Sequence, residues 1–200
     1  MYEFRERVGE EIGKLIDKDI LDEVDVVVPV PVTSIVAATS LSVCIQKPLK
    51  HAIVKNRYTH RTFINEGNDI VKNVEKIKII SKLVENKNVL VVDDSIVRGN
   101  TCRHIIRELR KANVKNIIFA CCSPPIRFPN RYGINIPSFD ELVAFRRSEE
   151  EVAKELDIDY LYYLPIENML SIIQELNPSI HQLEQSCFTG EYITFPEPIL

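Results

Sequence analysis

An α/β fold with a mostly parallel, twisted sheet flanked by helices is what the sequence predicts, on three observations. Val89 to Val92 is an unbroken apolar run of valine and leucine, the composition of a strand covered on both faces. Two further runs, Asp25-Val-Val-Val-Pro-Val-Pro31 and Val114 to Cys122, also read as buried strands. Helical patterns follow the first two in the chain, Ile35 to Gln46 and Cys102 to Lys111, and strands alternating with helices are the mark of a parallel sheet.

Length and charge set the outer limits. Two hundred residues with 45% apolar content suit a single domain, 1–200, with a substantial core. The net charge is −4 with both signs mixed throughout, which argues against a nucleic-acid surface, although a local basic patch can still bind phosphates. No apolar run approaches the roughly 20 residues of a membrane span, and Met1-Tyr-Glu-Phe-Arg-Glu6 has no signal-peptide pattern. Cys44, Cys102, Cys121, Cys122 and Cys187 are odd in number, scattered, and without C-x-x-C spacing. Reduced thiols in a cytoplasm are the simplest reading.

Along the chain, Phe4, Val8, Ile12, Leu15 and Ile16 recur at helical intervals, predicting an amphipathic helix from Phe4 to Ile20, within 1–23, on the outside of the sheet. Pro29 and Pro31 end the first strand, and Thr33 and Ser34 suit the cap of the buried helix after it. Leu49 to Val54 reads as a short strand delivering Lys55, Arg57 and Arg61, a density of cations more usual for a solvated face. Ser138 with Glu141, and Ser148 with Glu151, have capping-box spacing, the second opening a helix to about Leu156. Tyr160 to Leu164 reads as a last strand, Pro165 to Leu176 as a helix with proline at its start, and 177–200 as a tail packing on the body.

The chemistry concentrates in Asn88-Val-Leu-Val-Val-Asp-Asp-Ser-Ile-Val-Arg-Gly-Asn-Thr101. In an open α/β sheet the crevice where a strand hands over to a helix is where ligands bind. Two adjacent carboxylates, Asp93 and Asp94, can accept hydrogen bonds from vicinal hydroxyls or hold a magnesium ion directly or through its waters. Backbone N–H groups around Gly99, with the side chains of Ser95, Asn100 and Thr101, can cradle a phosphate at a helix start, where the dipole favours negative charge. Arg98 adds positive charge if it points inward. A plain turn followed by a helix cap at Asn100 or Thr101 uses the same residue types.

Taken in order, Val91-Val-Asp-Asp-Ser-Ile-Val-Arg-Gly-Asn-Thr101 resembles the phosphoribosyl pyrophosphate (PRPP) motif of type I phosphoribosyltransferases, in the version found in glutamine amidophosphoribosyltransferases. The resemblance continues in Pro29-Val-Pro-Val-Thr-Ser34, in Lys55-Asn-Arg-Tyr-Thr-His-Arg-Thr-Phe-Ile64, in Ser123 to Ser138 and in Ser186-Cys-Phe-Thr-Gly-Glu-Tyr192, so it spans nearly the whole chain. It implies a type I phosphoribosyltransferase fold with a flexible lid loop, and transfer of the phosphoribosyl group to ammonia or another amine with loss of pyrophosphate, a step of purine synthesis. It assigns Asp93, Asp94, Ser95, Ile96, Val97, Arg98, Gly99, Asn100 and Thr101, with Thr33 and Ser34, to PRPP. It assigns Thr33, Asp93 and Asp94 to Mg²⁺, and Lys55, Arg57 and Lys78 to the departing pyrophosphate.

The chain also departs from the family pattern. Val32 stands where members usually carry Asp or Glu, Thr59-His60 replaces a small pair, and the lid region Asn65 to Lys82 has no arginine. Asn130 and Glu184 occupy positions that are cysteines in members with an iron–sulfur cluster, leaving only Cys187, so no cluster is expected. The resemblance begins after the family's glutaminase domain. Hence no glutamine hydrolysis is expected within these residues, a separate glutaminase subunit could supply ammonia, and a homo-oligomer is expected. Two other readings stand beside this one: a non-catalytic PRPP sensor or scaffold, and a phosphoribosyltransferase with a different nucleophile.

Overall fold

The computed structural model describes residues 1–55, 77–133 and 138–194. Arg57 and residues 65–76 of the predicted lid fall outside them. In chain order the elements are α1 (Tyr2–Leu15), α2 (Lys18–Glu23), β1 (Val26–Pro29), α3 (Ile35–Cys44), β2 (Ile53–Lys55), β3 (Ile77–Ile79), β4 (Asn88–Asp93), α4 (Asn100–Lys111), β5 (Asn116–Cys121), α5 (Glu149–Leu156), β6 (Tyr160–Tyr163), α6 (Ile166–Leu176) and α7 (Ser186–Thr189). Four strands form one all-parallel sheet in the order β1-β4-β5-β6, and β2 and β3 form a separate antiparallel ribbon.

The sheet is apolar on both sides because both sides are covered. Alternate residues of a strand point to opposite faces. Val26, Val28, Val89, Val91, Ile117 and Phe119 face α4 and α5, meeting Ile105, Ile106, Leu109, Val152 and Leu156. Their neighbours Val27, Leu90, Val92, Ile118 and Ala120 face α1, α3 and α6, meeting Val8, Ile12, Leu41 and Ile172. Each fully buried aliphatic side chain contributes about 1.5–3 kcal/mol, which is why the strands read as continuous hydrophobic runs. No helix among the described residues is long and apolar enough to cross a membrane.

Several elements differ from the sequence reading. The predicted helix from Phe4 to Ile20 is two helices, because the backbone turns extended at Ile16 (φ −74°, ψ 132°) and buries that side chain in the core. The helix predicted as buried over Ile35 to Gln46 is covered on one side only, and Val43 is 72% exposed. Leu49 makes a single parallel bridge to Val27, whereas Ile53–Lys55 leaves the sheet to pair with β3. Ser138 opens only a 3₁₀ turn, Phe139–Glu141, and its hydroxyl caps nothing, because Glu141 turns away to Arg98. The box at Ser148 and Glu151 does form in both directions. The tail lies against the body through the Cys187 carbonyl, which accepts from the N–H groups of Arg127 and Phe128, and through the Tyr192 hydroxyl, which donates to the Pro129 carbonyl.

At Gly9, α1 packs directly on the backbone of α3. A Cβ there would lie 2.1 Å from the Ala37 carbonyl oxygen, a backbone atom that cannot move without its helix. Gly9→Ala is therefore expected to push α1 off the sheet layer and cost about 1–3 kcal/mol, read as a lower midpoint of urea unfolding.

Candidate active site at the carboxyl ends of β1 and β4

The connections leaving β1 and β4 diverge. From β1 the chain passes through α3 on one face of the sheet to Leu49, which bridges Val27 on the outer side of β1. From β4 it passes through α4 on the opposite face to β5, on the other side. A crevice opens where neighbouring parallel strands send their connections in opposite directions, and it lies outside their carboxyl ends. The loop after β1 and the Asp93-Asp94 pair are thereby adjacent, tied by the Val30 N–H donating to the Val92 carbonyl at 2.8 Å.

Asp93 sits on the floor of this crevice, the last residue of β4, opposite Cys121. Its Oδ1 accepts the Asp94 N–H at 2.8 Å, and its carbonyl accepts the Cys122 N–H. Burial pushes its carboxyl up from the usual 3.8 to about 7, the Asp94 charge adds to the rise, and the Asp94 N–H and Lys55 oppose it. Behind it lie the thiols of Cys102 and Cys121, both raised mainly by burial, so they are inert packing and not nucleophiles.

Residues 95–102 wrap a cleft of about 280 Å³ that Asp93 also lines. Gly99 is the N-cap of α4, in the left-handed region at φ 75°, and it has no side chain to satisfy the first N–H groups of the helix. A Cβ on Gly99 would also meet Leu156 at 2.9 Å. Neither Asn100 nor Thr101 is the cap; both are exposed in the first helical turn, so the orphan donors face the cleft. Ile96 is 2% exposed and packs its side chain in the core, leaving only its backbone to the cleft.

Arg98 does not point inward. Its Nε donates to Glu141 at 2.6 Å, fastening the loop to the 3₁₀ turn. Other braces hold the same loop: the Val143 N–H donates to the Val97 carbonyl, and Arg103, paired with Glu155, donates to the Arg98 carbonyl. Glu141, Val143 and Arg103 were invisible to motif reading, since their role exists only through contacts distant in sequence.

Across the crevice, Thr33 is exposed, but Ser34 is fully buried and its hydroxyl donates to the Val30 carbonyl at 2.6 Å. Ser34 thus closes the loop and is not available to a ligand. The Pro31–Val32 peptide is cis, and Arg5 from α1 donates to the Thr33 carbonyl at 2.8 Å. Val54 pairs with Lys78 and Lys55 with Ile77, so the two lysines emerge on opposite faces of the ribbon. Lys55 shares the inward face of Ile53, Ile77 and Ile79 and is close enough to act on Asp93. Lys78 is exposed on the outer face, which corrects its grouping with Lys55.

Residues 3–124 match the model of the phosphoribosyl transferase domain family, and the chain belongs to that family. Among curated relatives, the amidophosphoribosyltransferase of Haemophilus influenzae is 42% identical over 199 residues, covering 97% of this chain and 39% of that protein. The amidophosphoribosyltransferase of Escherichia coli is 38% identical over 197 residues, with the same coverage. Glutamine PRPP amidotransferase from B. subtilis, solved with ADP and GMP, superposes with a TM-score of 0.81 at 33% identity over 98% of this chain and 43% of its own. The chain thus spans about two fifths of the length of these relatives.

The buried carboxyl predicts a pH signature. Because the Asp93 carboxyl titrates near 7 in the fold and near 3.8 when exposed, the stability it leaves intact at low pH is lost as pH rises through about 7. Asp93→Asn keeps the acceptor for the Asp94 N–H but removes the charge. Without ligand, its melting temperature should exceed that of the unsubstituted protein at about pH 8, and the gap should narrow as pH falls below about 7 and close only below about 3.8. A gap independent of pH would contradict the assignment.

Proposed function

We propose that this domain binds PRPP in the β1/β4 crevice and transfers its phosphoribosyl group to ammonia or another amine, releasing pyrophosphate. The observation that carries the reading is the juxtaposition of a partly buried acidic pair, an uncapped helix start and a separate loop within one crevice, one feature for each part of the substrate. Asp93 and Asp94 accept the ribose hydroxyls, and the N–H groups and hydroxyls from Ser95 to Thr101 hold the 5′-phosphate. The loop carrying Thr33, together with Lys55, takes the pyrophosphate; Arg57 is assigned there from sequence alone.

Among the described residues no three His, Cys, Asp or Glu side chains converge on a metal-sized point. Two carboxylates and a threonine hydroxyl still fit Mg²⁺, which is held by one or two carboxylates plus substrate phosphates and water. Asp93, Asp94 and Thr33 would hold it, and its charge would neutralise the departing pyrophosphate. The protein's own contribution is placement. The C1–O bond to pyrophosphate breaks as the amine lone pair forms the C1–N bond on the opposite face, and the amine then sheds its proton. Lys55 stabilises the leaving group, and fixed geometry does the rest.

The ammonia would come from a glutaminase, in the same polypeptide or a separate subunit. The reading places the protein in the cytoplasm, where its five free thiols stay reduced, and as a homo-oligomer. A PRPP sensor remains the second reading, favoured by the exposed Val32 in the loop.

Incubation with PRPP, Mg²⁺ and ammonium at alkaline pH should release pyrophosphate in a magnesium-dependent manner, whereas PRPP binding without turnover would select the sensor. Lys55→Ala is expected to lower kcat/KM by roughly a hundredfold while Lys78→Ala stays within about twofold; equal losses would contradict the separation of the two faces.

A further inference from the structure

We infer that Arg5 is a positioning residue for the pyrophosphate half of the site, acting from the first helix through the Thr33 carbonyl. This rests on the proposed role of the loop from Val30 to Ser34 and names the residue that sets its shape.

The loop has few internal ties. The Val30 N–H is held by Val92, and the Ser34 hydroxyl spans the loop to the Val30 carbonyl. Between them, the N–H groups of Val32 and Thr33 make no hydrogen bond within the described residues, and both residues are exposed. Two free donors suit an anion, but only while the carbonyls of the same loop point elsewhere, because a carbonyl oxygen facing a pyrophosphate repels it. The Thr33 carbonyl is turned back by Arg5, whose Nη1 donates to it at 2.8 Å.

Among the described residues, the Arg5 side chain makes no other hydrogen bond. No carboxylate of the described residues pairs with it, and the residue as a whole is half-buried. It reaches over the strand ends far enough for its charge to act on the Cys122 thiol, just past β5. A cation with no carboxylate partner among the described residues spends its hydrogen bond on a backbone carbonyl, so the bond fixes the loop while the charge adds to the positive field on that side. The amide donors and the cation then present one electropositive wall, without the acidic side chain that Val32 leaves out.

The test uses the intact protein and calorimetric titration with two separate ligands, inorganic pyrophosphate with Mg²⁺ and ribose 5-phosphate. Arg5→Gln is expected to weaken pyrophosphate binding roughly tenfold or more, leave ribose 5-phosphate within about twofold, and keep the melting temperature. Arg5→Lys, which keeps the charge and one donor, should recover part of the loss. Unchanged pyrophosphate binding by Arg5→Gln overturns the inference, as does equal loss of both ligands, the result of a merely structural role. Failure of the unsubstituted protein to bind either ligand would instead overturn the reading of the whole crevice.

Discussion

The pairing of β1 with β4 is the constraint on which the site depends. Val26 to Pro29 lie in parallel register with Val89 to Val92, so one bundle of backbone hydrogen bonds sets the height of two strand ends at once. Because the helices that follow these strands go to opposite faces, a gap opens among the described residues above the pair. The acidic floor at Asp93 and the loop bearing Thr33 therefore face each other across a gap created by topology. Side-chain choice then decides what the gap can hold.

That choice works against stability. Asp93 is carried into a poorly solvated position by the apolar strand before it, and at neutral pH the fold tolerates a carboxyl that resists ionisation. The Lys55 charge, on a separate two-stranded ribbon, acts against the rise in its pKa. The adjacent loop also runs on unsatisfied donors, with a glycine cap that supplies no acceptor to the first turn of α4. A site that places an unwilling anion beside orphan N–H groups is set up for a ligand that brings both a cation and phosphate oxygens. Its rigidity comes from outside: Arg98 on Glu141, the Val143 N–H on Val97, and Arg103 on the Arg98 carbonyl.

Much of this was legible in the sequence because burial on both faces leaves a strong signal. The runs at Val26 to Val28, Val89 to Val92 and Ile117 to Cys121 had to be strands of a covered sheet, and the Asp-Asp-Ser string after one of them marked the crevice. What stayed hidden was decided by contacts between distant residues. Ser34 reads as a binding hydroxyl or cap until the fold turns it onto Val30. Arg98 reads as a phosphate ligand until Glu141, 43 residues away, captures it. Lys55 and Lys78 read as partners until the antiparallel register sets them on opposite faces. Helix periodicity could not foresee the break at Ile16, since the isoleucine fits the amphipathic pattern and leaves it only to reach the core.

The central claim is that one crevice grips a sugar phosphate by both ends, with the acidic pair on the ribose and the start of α4 on the phosphate. The most direct measurement is a crystal structure of the protein with ribose 5-phosphate. The account predicts phosphate oxygens within hydrogen-bond distance of the N–H groups from Gly99 to Thr101 and ribose hydroxyls on the carboxylates of Asp93 and Asp94. A sugar phosphate bound elsewhere, or those carboxylates engaged only by protein, would contradict it.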